Sequence, residues 1–118
     1  MKLVIVESPY AGDIDRNTAY AREAMRDCLL RGEAPYASHL LYTQAGVLSD
    51  ADKKERALGI AAGLEWGARA DYTVVYMDLG VSSGMLEGIA RAKKDGRPVI
   101  RRWLYSRPVL DNDATTEG

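Results

Sequence analysis

The sequence has no phenylalanine, one cysteine (Cys28), one histidine (His39) and four prolines in 118 residues. One cysteine excludes an internal disulfide and a cysteine-cluster zinc site, and one histidine excludes a histidine-rich metal centre. No apolar run approaches the roughly 20 residues that span a bilayer. The opening Met1-Lys2-Leu3-Val4-Ile5-Val6 is too short for the apolar core of a signal peptide and runs straight into Glu7. The expectation is a cytoplasmic protein with a reduced thiol and no membrane partner. Neither sign of charge is in excess: 16 Lys and Arg face 17 Asp and Glu, a formal charge of −1. Proteins that bind by neutralising phosphates usually carry a basic surplus, so no nucleic-acid partner is expected.

What is present fits an ordinary globular domain. Hydrophobic residues make up 47% and charged residues 28%, enough apolar material for a core, and the length suits one domain. Seven tyrosines and two tryptophans supply all the aromatic surface. A tyrosine has a polar tip, so some are expected around a wet pocket.

Leu3-Val4-Ile5-Val6 reads as a strand buried on both faces, ending at the breaker-rich Glu7-Ser8-Pro9-Tyr10-Ala11-Gly12. Asp13 or Asp15 can cap a helix over about 17–30, with Tyr20, Ala21, Ala24, Cys28 and Leu29 at helical spacing. Arg31-Gly32 stops it. The segment 34–42, holding Pro35, is a strand or an extended loop. Ser49-Asp50-Ala51-Asp52 opens a second helix whose apolar stripe is Ala57, Ile60, Ala61, Leu64 and Ala68. Tyr72-Thr73-Val74-Val75-Tyr76 is a second apolar strand. A third helix over about 83–94 has Leu86, Ile89 and Ala90 as its inward stripe, and Pro98-Val99-Ile100 begins a last strand. Strands alternating with helices predict an α/β fold: a single-domain parallel sheet of four to five strands with helices on both faces. Segments 3–6, 72–76 and 98–101 are expected adjacent to its centre. The domain is expected over 1–107, with a polar tail over 108–118 that has no apolar period and frays.

Such sheets bind ligands at the carboxyl ends of their strands, which selects the loops 7–15 and 77–87. The second reads Asp78-Leu79-Gly80-Val81-Ser82-Ser83-Gly84-Met85-Leu86-Glu87. With Ser82 as N-cap, the backbone N–H groups of Ser83, Gly84 and Met85 form an anion cradle on the positive end of the helix dipole. Glu87 then lies about 6–8 Å further along the axis, at 1.5 Å per residue. That is close to the span from the phosphate of a nucleoside monophosphate to its anomeric carbon. One helix end can thus hold a phosphate and aim a carboxylate at a glycosidic bond. The plainer alternative is an ordinary serine cap followed by a solvated glutamate. The stretch is neither a Walker A loop nor a GxGxxG turn.

The pattern Asp78-x-Gly80-x-Ser82-x-Gly84-Met85-x-Glu87, with Ile89, Ala90 and Gly96-Arg97-Pro98-Val99, resembles the nucleoside 2-deoxyribosyltransferase-like superfamily. So does the first strand followed by Ser8-Pro9-Tyr10. The resemblance covers roughly residues 2–101 and implies a flavodoxin/Rossmann-like fold. The superfamily includes deoxyribosyltransferases, nucleotide N-glycosidases and small phage and bacterial members. By resemblance, Glu87 is the carboxylate that attacks the anomeric carbon, and Asp78 binds or protonates the base. Ser82 and Ser83 contact the 5′ end of the ligand, with Gly80, Gly84 and Met85 completing the loop and helix start. Tyr10, with Ser8 beside it, lies near base or sugar. Ser8 stands where glycine is common in the superfamily.

The resulting expectation is hydrolysis of the N-glycosidic bond of a (deoxy)nucleoside 5′-monophosphate through a carboxylate nucleophile. The alternatives are a non-catalytic nucleotide-binding module and nucleobase transfer between deoxyribosides. No metal or redox cofactor is implied. The partner is a small-molecule nucleotide, and the family habit implies a homo-oligomer, a dimer or higher. His39 reads as a structural or surface histidine, Tyr42, Thr43 and Trp66 as packing residues, Arg16 and Arg22 as solvated charges, Arg101-Arg102 with Arg107 as a solvated basic edge, and Cys28 as a small buried hydrophobe.

Overall fold

The computed structural model describes residues 1–105. The expected tail over 108–118, the domain limit at 107 and Arg107 lie outside them. The described chain runs β1 (Lys2–Glu7), α1 (Ile14–Leu30), β2 (Glu33–Tyr36), a 3-10 turn (Ser38–Leu40), α2 (Lys53–Gly67), β3 (Tyr72–Tyr76), α3 (Ser83–Lys94) and β4 (Val99–Arg102). The strands form one sheet in the order β2-β1-β3-β4, and every neighbouring pair is parallel. The expected α/β parallel sheet is therefore present, with β4 beside β3 at the edge. The segment 34–42 divides into an edge strand and a 3-10 turn, and Pro35 is tolerated because β2 is an edge.

Alternation along β1 sorts the two faces. Val4 and Val6 pack with Val74 and Tyr76 against Tyr20, Ala24 and Cys28 of α1. On the other face Val75 packs on Met85 and Ile89 of α3. Burial of β1 on both faces holds only in part: Leu3 is half-exposed and Ile5 lines an open cavity. Helix α1 begins earlier than expected because Asp13 caps it, its side chain accepting from the Arg16 N–H at 3.2 Å.

Three packing expectations are corrected. In α3 the inward residues are Met85, Ile89 and Ala92, while Leu86 and Ala90 are exposed. The Ser82 cap sets this rotation: its hydroxyl accepts from the Met85 N–H at 3.2 Å and its own N–H meets the Met85 sulfur at 3.4 Å, which seats Met85 in the core. In α2 the expected stripe faces outward, with Ile60 and Leu64 exposed. The inward face is Gly59, Gly63 and Gly67, spaced one turn apart over Leu48 and Tyr42, the Tyr36 hydroxyl, and Arg97. Bulky side chains from outside the helix fill the space that α2 would otherwise fill itself. Finally, Arg102 is no solvated edge. Its guanidinium forms two hydrogen bonds to the nearly buried Glu33 carboxylate, at 2.6 and 2.7 Å. The Tyr72 hydroxyl donates to the same carboxylate. The Arg102 hydrogen bonds hold Glu33 down to about 2.

Candidate active site

In the order β2-β1-β3-β4 the chain crosses from one side of β1 to the other, so the switch point lies between the ends of β1 and β3. A cavity of about 510 Å³ opens there on the face carrying α2 and α3. Both loops singled out in the sequence reach it: Tyr10 and Ala11 from the first, Ser82, Ser83, Gly84 and Glu87 from the second.

The first loop is held by Asn17, buried in α1, whose amide donates to the carbonyls of Tyr10 and Ala11 at 2.9 and 3.1 Å. The Tyr10 ring stacks on His39 with centroids 4.7 Å apart. Burial lowers the His39 pKa against the pull of Asp50, so the ring is neutral at pH 7. His39 thus lines the cavity as a stacked, uncharged wall. At the second loop, Ser83 and Gly84 are the first residues of α3, where helix geometry leaves N–H groups free of intrahelical partners. The Met85 N–H is not available in the same way, since Ser82 takes it.

The other residues named in the sequence are placed elsewhere. Asp78 does not line the cavity. Its carboxylate accepts from the Tyr20 hydroxyl at 2.6 Å and from the N–H groups of Leu104 and Tyr105 at 2.8 and 3.0 Å. Burial pushes this carboxyl up, but those hydrogen bonds together outweigh it and hold it below its ordinary value. Asp78 is a latch between β3, α1 and the segment after β4. Ser8 is buried beneath the first loop, the Met85 side chain is in the core, and Gly80 makes a turn at φ +88°. These three shape the site from behind.

Three groups on the cavity wall were not singled out in the sequence as site residues: Glu7, Tyr36 and Arg97. Glu7 ends β1 on the face opposite Val4 and Val6, and strand alternation alone could have flagged it. Burial raises its carboxyl to about 7 even though the Arg97 charge pulls the other way. Arg97 is nearly buried, donating to Thr73 at 3.0 Å and to the Gly67 carbonyl at 2.7 Å, and so ties α2 to β3. The Tyr36 hydroxyl is buried with no hydrogen-bond partner among the described residues. Its ring stacks on Trp66 at 5.5 Å, and the Trp66 indole N–H donates to the Tyr42 hydroxyl at 3.1 Å. Among the described residues no three His, Cys, Asp or Glu side chains are grouped to hold a metal, and no helix is long and apolar enough to cross a membrane.

The chain is an open parallel α/β sheet with its cavity at the switch point, the place where such sheets bind ligands. Residues 2–102 match the family described as a domain of unknown function, DUF7768, and the chain belongs to that family. Its fold is similar to that of a solved 2-deoxyribosyltransferase from the psychrotolerant bacterium Bacillus psychrosaccharolyticus. The TM-score is 0.63 and the identity 16%, covering 92% of this chain and 77% of that one. The fold is thus nucleoside 2-deoxyribosyltransferase-like. No curated protein matches the chain.

Proposed function

We propose that the protein cleaves the N-glycosidic bond of a deoxyribonucleoside or its 5′-monophosphate, with Glu87 as nucleophile. One observation carries this reading: the Ser82-Ser83-Gly84 helix start and Glu87 line the same cavity as Tyr10 and the end of β1. The helix start binds the 5′ end of the ligand through backbone N–H groups and serine hydroxyls, where the dipole favours an anion. Glu87 attacks the anomeric carbon through an oxocarbenium-like state and forms a glycosyl-enzyme ester. Tyr10 and the unpartnered Tyr36 hydroxyl flank the base.

Transfer of the deoxyribosyl group to a second base is the preferred outcome, ahead of the hydrolysis favoured by the sequence alone. The likeness to a 2-deoxyribosyltransferase supports that order. Incubation with a panel of nucleosides and nucleoside monophosphates, with and without an acceptor base, tests it. A swapped base means transfer, and free base with sugar or sugar phosphate means hydrolysis. Glu87→Gln is expected to lower either by several orders of magnitude while leaving binding in place. Equal rates in the two proteins end the role of Glu87. A thermal shift without product from the wild type favours the second reading, a nucleotide-binding module built on the same helix start.

A further inference from the structure

We propose that Glu7 is the second catalytic carboxyl group, the acid that protonates the departing base and the base that deprotonates the acceptor. This rests on the glycosyl transfer proposed above.

The geometry is specific. Glu7 is the last residue of β1, level with Val75 in β3, and its side chain enters the cavity. Its carboxyl lies against the backbone of Gly88: a Cβ at that position would stand 2.1 Å from Glu7 Oε2 and 2.4 Å from Cδ. Gly88 directly follows Glu87, and adjacent Cα atoms are about 3.8 Å apart. The Glu7 carboxyl is therefore brought within about a residue's length of the nucleophile's own backbone. Among the described residues it has no hydrogen-bond partner, so it is not spent on structure as Asp78 is.

Burial, with few free charges to oppose it, favours a proton on Glu7. From α3 and the turn after it come Glu87, Arg91, Asp95 and Arg97, from the β2–α2 connection His39 and Asp50, and from α2 Glu55 and Arg56. Arg91 pairs with Asp95 at 3.1 Å, Arg56 lies 3.9 Å from Asp50, and Glu55 accepts from the Ser49 N–H. His39 is neutral. What remains near Glu7 is Arg97, already shared with Asp95. Burial outweighs Arg97 and leaves Glu7 titrating at about 7, where one group can both give and take a proton.

The chemistry balances. A Glu87 oxygen forms the bond to the anomeric carbon as the carbon–nitrogen bond breaks. That electron pair goes to the base nitrogen, and the Glu7 proton goes to the base, which leaves neutral. In the second step Glu7, now a carboxylate, takes a proton from the acceptor N–H as that nitrogen attacks the anomeric carbon and releases Glu87. Each carboxyl group ends as it began.

The test compares wild type, Glu7→Gln and Glu87→Gln on two donors: a natural deoxynucleoside, whose base needs a proton to leave, and a 4-nitrophenyl deoxyriboside, whose leaving group departs as a stable anion. Formation of the glycosyl-enzyme is followed in single-turnover mode, with melting temperatures as the check on folding. Glu7→Gln should slow the natural donor about 10²–10⁴-fold, the range for general acid–base catalysis, and the nitrophenyl donor less than tenfold. The limb of the wild-type pH profile that falls above about pH 7 should vanish in Glu7→Gln. Glu87→Gln should abolish both donors. Equal slowing of both donors by Glu7→Gln, with its pH limb retained, overturns the acid–base role and leaves the glycosyl transfer standing. No turnover of either donor by the wild type overturns both.

Discussion

Substituting alanine at Gly88 measures directly how tightly the Glu7 carboxyl is held against α3. In the wild type the added methyl would meet Glu7 Oε2 at 2.1 Å and Oε1 at 2.7 Å, so the carboxyl must leave its seat. The atoms in the way are the far end of a flexible side chain, so the cost is the low end of that for an extra methyl in a packed site, about 1 kcal/mol. The same change inside a helix gains roughly 0.5–1 kcal/mol, because alanine loses less backbone freedom than glycine. The net expectation for Gly88→Ala alone is a loss of at most about 0.5 kcal/mol. Glu7→Ala removes the obstacle, and Gly88→Ala in that background should stabilise by roughly 0.5–1 kcal/mol. A double-mutant cycle by urea denaturation at pH 7 should therefore return a coupling of about 1 kcal/mol. If Gly88→Ala stabilises both backgrounds by the same amount, the carboxyl is not seated there and the geometry given to Glu7 fails. Gly88→Ala should also reproduce the leaving-group dependence of Glu7→Gln.

The stability of the wild type should depend on Glu7. Burial raises its carboxyl from 4.5 to about 7, so between those values the folded chain holds a proton that the unfolded chain has lost. Stability should fall as pH rises through that window, by roughly 3 kcal/mol in all, and Glu7→Gln should flatten the slope in denaturation curves between pH 4.5 and 7. Ser82→Ala removes the cap on the Met85 N–H and should cost roughly 0.5–2 kcal/mol. The same variant should weaken 5′-phosphorylated ligands more than nucleosides in calorimetry, and equal weakening would remove the phosphate role. Helix α2 leaves Leu58, Ile60, Leu64 and Trp66 exposed, and a second copy lying over it would close the open side of the cavity. Sedimentation at micromolar concentration should give more than the 13.0 kDa of one chain, and that mass alone would refute the assembly.

The sheet and α3 were legible because their signals are local. Val74, Val75 and Tyr76 form a continuous apolar run with 0% exposure, and Ser82 announces a helix that does begin at Ser83. The inner face of α2 was not legible, because hydrophobic periodicity assumes that a helix buries its own side chains. Here glycines face inward and the tyrosines they rest on come from 36 and 42, far off in sequence. Arg102 looked solvated because its partner, Glu33, is 69 residues away. Glu87 and the Ser82–Gly84 turn were singled out by spacing and Tyr10 by family resemblance, and all of them line one cavity. Asp78 has the right residue type at a suggestive position, but three donors from Tyr20, Leu104 and Tyr105 occupy it. Glu7 was passed over as a loop residue: alternation along β1 turns it away from the Val4 and Val6 face, but the backbone it meets there is that of Gly88, 81 positions later.

The glycine face of α2 bears on how the cavity fills. Gly59 and Gly63 each cost the helix about 1 kcal/mol relative to alanine, and Gly67 is the only residue that α2 buries. Little except the cavity wall rewards α2 for staying helical, so its amides should exchange with solvent well before those of β1 and β3. A ligand bound between α2 and α3 then spends part of its binding energy ordering this helix. Amide protection along 53–67 thereby becomes a reporter of occupancy that needs no turnover, and it ranks candidate nucleosides by how far each one slows that exchange.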